Sequence, residues 1–156
     1  MKNLFQDKRI AVIPLLLLAL IAVASLNSSK STNSAIAEPK IQIKDRIFAL
    51  EMANTDEERT RGLSGRDSLP QNKALLFVFE KPGQYGFWMK DMKFPIDIFW
   101  LNENYNVVHI EKNVSPNTFP NIYSPSTTAI YVLETNAGIA DNLQIKVGDK
   151  LERLVQ

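Results

Sequence analysis

Residues 96–101 read Ile-Asp-Ile-Phe-Trp-Leu, a strand-length apolar run broken by a single acid. In an extended chain successive side chains point to opposite faces, so Ile96, Ile98 and Trp100 line one face while Phe99 and Leu101 line the other. A strand apolar on both faces must be covered on both. That requires packed layers, or a sheet curled onto itself, rather than an open ribbon with one wet side. Asp97 is carried inside with its neighbours. An unpaired buried carboxylate costs several kcal/mol, so it has to be ion-paired, hydrogen-bonded or protonated. Asp97 is therefore the first candidate for a functional or structural site.

The flanking sequence supplies more short strands. Ile41–Ile43 and Ile47–Met52 alternate apolar and polar residues, and Leu75–Phe79 is a continuous apolar run. Tyr85–Met89 after the Pro82-Gly83 turn, Val107–Lys112, Ile130–Leu133 and Lys150–Val155 after Gly148-Asp149 complete the strand set. Thr55 and Glu58 have the spacing of a capping box, which predicts a short helix over Asp56–Arg61 ended by Gly62. Ala137–Asn142 reads as a further helical turn. Between Asn113 and Thr128, Pro116, Pro120 and Pro125 mark an irregular excursion long enough to form a binding lip. The expected fold is mainly β: a compact antiparallel barrel or sandwich of about seven short strands, with one short helix and a Pro-rich loop.

The hairpin around Asn102–Asn106 gives a geometric expectation. With a three-residue loop of Glu103, Asn104 and Tyr105, Phe99 faces His109 and Asp97 faces Glu111. One sheet face then holds Asp97, Glu111 and the only histidine of the chain. Opposed carboxylates need a shared proton, a cation or an arginine between them. A structural ion pair with Arg59, Arg61 or Lys90 is the plainer reading, and a metal or acid-base site the sharper one. A one-residue slip moves the whole set to the opposite face. No metal or cofactor is expected.

Other motifs carry less. Gly62-Leu63-Ser64-Gly65 differs in spacing from a nucleophile elbow, and no strand leads into it. Arg59, Arg61 and Arg66 cluster about the helix end, where they suit an anion or buried acids. Trp88, Trp100, Phe87, Phe94 and Tyr85 have the chemistry to stack on a sugar or peptide, although aromatic residues in such strands mostly serve the core.

The N-terminus predicts export. Lys2, Lys8 and Arg9 precede the apolar stretch Ile10–Ala24, which contains Leu15–Leu18. Fifteen helical residues reach about 22 Å at about 1.5 Å each, short of the roughly 30 Å hydrocarbon core, which favours a signal peptide over a permanent span. Of two Ala-x-Ala sites, Ala35-Ile36-Ala37 is preferred to Ala22-Val23-Ala24. Residues 1–37 are then the signal and 38–156 a single β-rich domain. The alternative is an uncleaved anchor, touching the membrane through residues 10–26, with a Ser/Asn linker behind it. The chain has no cysteine, which excludes disulfides, thiolate metal sites, cysteine nucleophiles and lipidation at a cysteine. Eighteen basic groups against seventeen acidic ones argue against nucleic acid as partner. Periplasmic or extracellular localisation follows from the export reading.

Several motifs taken together resemble a known family. Glu58-Arg59 with Gly62-Leu63, Leu76-Phe77-Val78-Phe79, Phe87-Trp88-Met89-Lys90 leading to Pro95-Ile96-Asp97-Ile98, Val132-Leu133-Glu134 with Gly138, and Gly148-Asp149 are similar in order and spacing to an uncharacterised family of exported proteins. It is known as domain of unknown function one hundred and ninety-two. The resemblance spans residues 41–152 and implies a compact, mostly β domain, often behind a signal sequence, with no reaction established. This chain carries Asp91-Met92 and Ser64 where the family pattern has Asn-Thr and Met.

The functional expectation is a non-enzymatic exported module that binds a small ligand, an envelope glycan or a partner protein. Its binding residues would be Arg59, Arg61, Trp88, Lys90 and Asp97, in a cleft between the Pro-rich excursion and the Trp88–Asp97 edge. One alternative is a hydrolase of envelope or extracellular carbohydrate, with Asp97, Glu111, His109 and Glu134 as catalytic candidates. Another is a structural or assembly partner.

Overall fold

The computed structural model describes residues 38–154, and the signal, anchor and cleavage expectations for residues 1–37 lie outside them. Seven strands form one sheet: β1 (Lys40–Ile43), β2 (Arg46–Ala53), β3 (Lys73–Gly83), β4 (Ile96–Leu101), β5 (Val107–Val114), β6 (Ala129–Asn136) and β7 (Glu152–Leu154). Two short helices, α1 (Asp56–Arg61) and α2 (Ile139–Asn142), and a 3-10 turn at Pro116–Thr118 complete the described elements. Strand order is β5-β4-β6-β3-β2-β1-β7. Every pairing is antiparallel except β2 with β3, where the connection through α1 brings the chain back in parallel.

The sheet curls into a half-barrel whose two edges meet. Val107 N–H donates to the Asp149 carbonyl (2.8 Å), Gly148 N–H to Val107 (2.8 Å) and Leu151 N–H to Tyr105 (3.0 Å). These bonds tie the start of β5 to the chain entering β7 and pair backbone groups that an open edge would leave free. Both faces of the sheet are covered, as the 96–101 run requires, and all six residues of β4 are buried. Phe48, Leu50, Leu76, Phe99, Leu101 and Leu133 pack on one face. Leu63, Leu75, Phe77, Met89, Ile98 and Trp100 pack on the other.

Two expectations are corrected here. Tyr85–Met89 is not a strand; it makes a single bridge, Phe87 to Tyr123. Its aromatic side chains are used for packing instead. Tyr85 stacks on Phe79 and Phe87 meets Phe77 edge-on, while the Tyr85 carbonyl accepts from the Trp100 indole N–H (2.8 Å) rather than from a neighbouring strand. High β-propensity reports a fit to such half-buried surfaces, and pairing need not follow.

The second correction is register. The three-residue loop is present: Asn102 N–H donates to Asn106 (3.0 Å) and Leu101 faces Val107. Tyr105 takes the left-handed conformation at φ 61°, and its ring stacks on Tyr131 at 4.5 Å. Past that point a bulge inserts one residue in β5, so that Trp100 faces His109 and Ile98 faces Glu111. The slip turns Asp97 away from His109 and Glu111, onto the opposite sheet face.

Candidate functional site

Alternation along β6 sends Leu133 to one face of the sheet and Val132 with Glu134 to the other. Glu134 lies between Leu75 of β3 and Ile98 of β4 in the ladder, and only 5% of its surface is exposed. Among the described residues its Oε2 has no hydrogen-bond partner. Burial pushes its carboxyl up to about 8, against the opposing charge of Arg66, so Glu134 is protonated at neutral pH.

Helix α1 roofs this face. The capping box forms as expected, with Thr55 Oγ1 accepting from Glu58 N–H (3.2 Å) and Glu58 Oε2 accepting from Asn54 and Thr55 N–H (2.9 and 3.0 Å). Those bonds hold the Glu58 carboxyl below its ordinary range. Gly62 ends the helix at φ 49°, and a Cβ there would lie 3.2 Å from the Phe77 ring, so the helix end sits against β3 because the residue is glycine. Arg59 fastens the helix laterally. Its guanidinium donates to the carbonyls of Asn54 (2.6 Å) and Val78 (2.8 Å), pairs with Asp56 and lies over the Phe79 ring.

Between helix and sheet lies a cleft of about 410 Å³, within the range of small-molecule sites. Phe77, Phe79, Tyr85, Phe87 and Trp88 form its aromatic wall, Arg59 and Arg61 come from α1, and Glu134 is buried at its floor. Three residues named from sequence, Arg59, Arg61 and Trp88, thus come together with Glu134. The Pro-rich excursion and Asp97 do not line this cleft, although Phe119 of the excursion meets the Trp88 ring edge-on at 6.0 Å. Lys90 is also outside the lining; its ammonium lies 5.8 Å from the Trp88 ring centroid and its carbonyl accepts from Ser64 Oγ (2.8 Å). Phe77 and Phe79 escaped the sequence reading. Leu75, Phe77 and Phe79 share one face by period two, a signal hidden within a run that looks uniformly apolar.

Asp97 is fully buried, as its context demands. Among the described residues no arginine or lysine pairs with it. Oδ1 accepts from Asn113 N–H (2.8 Å) and Oδ2 from Ala140 N–H (2.7 Å). The first amide is aimed inward by the left-handed turn of Asn113 (φ 52°) at a second register shift of β5, between the Ile98–Glu111 and Ile96–Val114 pairs, and the second belongs to the first turn of α2. Asp97 therefore staples two distant segments. His109 and Glu111 pair with each other at 3.0 Å, both part-exposed, and the His109 ring meets Trp100 edge-on. The register separates them from Asp97, and among the described residues no three His, Asp or Glu side chains gather as a metal site.

A curled seven-strand sheet with a ligand-sized cleft under a short capped helix defines a mainly β half-barrel domain. The family model described as "Uncharacterized ACR", domain of unknown function 192, matches residues 39–153, and the chain belongs to that family. The fold is also that of a protein of unknown function from Novosphingobium aromaticivorans DSM 12444, with 29% identity and a TM-score of 0.67 over 74% of this chain and 83% of that one. A putative transcription regulator from Sinorhizobium meliloti 1021 is similar as well, with 25% identity and a TM-score of 0.68 over 74% of this chain and 92% of that one. No curated protein matches the sequence.

Proposed function

We propose that this protein is an exported, non-enzymatic binding module that holds a small ligand in the cleft beneath α1. The observation that carries the reading is Glu134 Oε2, a buried polar atom without a partner at the floor of a ligand-sized cavity. An unsatisfied buried polar group costs about 1–3 kcal/mol, and a bound molecule that hydrogen-bonds to it recovers that cost. Hydrolysis of a glycosidic bond requires two carboxyl groups flanking one bond. Asp97 is closed off by two amides on the other sheet face, and Glu111 is engaged by His109, so neither shares the cleft with Glu134. Export is proposed from the N-terminal sequence alone.

The test is a thermal-shift screen of small molecules on the wild-type protein and on Glu134→Leu. A ligand present at about 100 times its Kd stabilises by about 2.7 kcal/mol. A hit that shifts the wild type and not the variant supports the reading. Hits that shift both alike place binding elsewhere and overturn it.

A further inference from the structure

The polar groups around the cleft are not equally free, and their inventory selects a ligand chemistry. Arg59 spends three of its five N–H donors on two carbonyls and Asp56, which hold it against the sheet. The Thr60 hydroxyl donates to the Asp56 carbonyl, Ser64 Oγ to Lys90 and the Tyr85 hydroxyl to Lys81. Glu58, whose carboxyl feels the charge of Arg61, spends one carboxylate oxygen on the two amides of the capping box. Arg61 is different: it lines the cleft from the exposed last turn of α1 and, among the described residues, enters no ion pair. Among the described residues, the Arg61 guanidinium at the rim, the Glu134 carboxyl at the floor and the Trp88 indole N–H in the aromatic wall enter no side-chain hydrogen bond or ion pair.

Resting on the proposed binding role of this cleft, we infer that its ligand is a small planar organic carboxylate. Its carboxylate sits on the Arg61 guanidinium, its apolar body lies against Phe79, Tyr85 and Trp88, and a polar substituent reaches Glu134. A guanidinium fork matches a carboxylate in two parallel hydrogen bonds. The aromatic wall favours a flat, apolar body. A sugar presents hydroxyls all round its ring, and the aromatic wall formed by Phe77, Phe79, Tyr85, Phe87 and Trp88 suits a flat apolar body better. Glu134 in its neutral form does not repel an anion and has a proton to donate. Of the other charged groups on this face, Asp56 pairs with Arg59 and faces solvent, while Arg66 pairs with Glu51 at 2.6 Å.

The probes are 4-hydroxyphenylacetate, its neutral amide, phenylacetate, glucuronate and glucose, titrated into the full-length protein and followed by NMR and by the fluorescence of half-exposed Trp88. The expected result is binding of 4-hydroxyphenylacetate at least about tenfold tighter than its amide. Arg61→Gln, at an exposed position, should fold normally by circular dichroism and abolish that difference. Glu134→Leu should abolish the preference for the hydroxylated acid over phenylacetate. Equal binding of acid and amide, or binding of glucuronate or glucose without the aromatic acids, overturns the ligand class while leaving the cleft as a binding site. Absence of binding by any of the five probes overturns the ligand class, and the screen with Glu134→Leu then judges the binding role by itself.

Discussion

Asp97 and Glu134 are both buried acids of the same sheet, one strand apart, and they are satisfied in opposite ways. Asp97 has two backbone amides directed at its two oxygens, whereas Glu134 has an oxygen with no partner and is held neutral by burial. Their chemical consequences differ accordingly. Burial raises the Glu134 carboxyl to about 8 from an ordinary 4.5, so the folded state keeps a proton that the unfolded chain releases. Stability from this group is fully present at or below about pH 4.5, falls as pH rises through that window, and levels off above about 8. At about 1.4 kcal/mol per pKa unit, the loss is on the order of a few kcal/mol. Glu134→Leu should remove that slope and be the more stable protein at pH 8, as urea unfolding at pH 5 and pH 8 would measure. Asp97→Asn sets an amide NH₂ against one of the two backbone donors and should cost about 2–4 kcal/mol by the same measurement. An unchanged midpoint would mean that the staple contributes nothing. Burial of Asp97 was legible in the run Ile96–Leu101, because alternation there leaves no wet face. Its partners were not, since a backbone N–H at Asn113 or Ala140 has no side-chain signature.

At the scale of elements, α1 is where local sequence and site coincide. Its boundaries were readable because Thr55, Glu58 and Gly62 each perform a task that depends on the residue's own chemistry: accepting from a free amide, returning a bond to the cap, and turning where a Cβ would meet Phe77. Thr55→Ala should cost about 1 kcal/mol, detected as faster hydrogen exchange of the α1 amides. Gly62→Ala forces a side chain into a positive φ and against the Phe77 ring, and should cost more than about 1 kcal/mol. Since the ring it displaces lines the cleft, binding should weaken with it. The β4–β5 register was read one residue out for the complementary reason. The loop geometry follows from Asn102, whose Oδ1 accepts from the Asn104 and Asn106 amides at 3.0 Å each. The bulge beyond it comes with the His109 ring packed edge-on against Trp100, and a second shift further on with Asn113 reaching Asp97, which are tertiary facts. One inserted residue was enough to divide a supposed trio between two faces of the sheet.

For the whole molecule, the seam between β5 and the chain entering β7 ties the two ends of the sheet together within residues 38–154, and the proposed cleavage after Ala37 leaves only Glu38 and Pro39 ahead of β1, which begins at Lys40. Pro39 supplies the carbonyl that accepts from Leu50 N–H (2.7 Å), and Lys40 is the first residue paired on both sides, with Ala49 and with Leu154. A mature chain beginning at Glu38 therefore keeps the β1 pairings, whereas a cut a few residues later would strip the strand that joins β2 to β7. Removal of residues 1–37 takes four basic groups and one acid, leaving 14 against 16 and a mature charge of about −2. The remaining 119 residues are enough for a single core without disulfide or metal support. Expressed with the native N-terminus in a bacterium that exports it, the protein should be recovered outside the cytoplasm, and its intact mass should correspond to a start at Glu38. The separately expressed 38–156 chain should melt at the same temperature as the full-length protein. A recovered start at Met1 would make the first segment an anchor. A start at Ser25 would move cleavage to Ala24, and a lower melting temperature for 38–156 would mean that the domain draws stability from the segment it is proposed to lose.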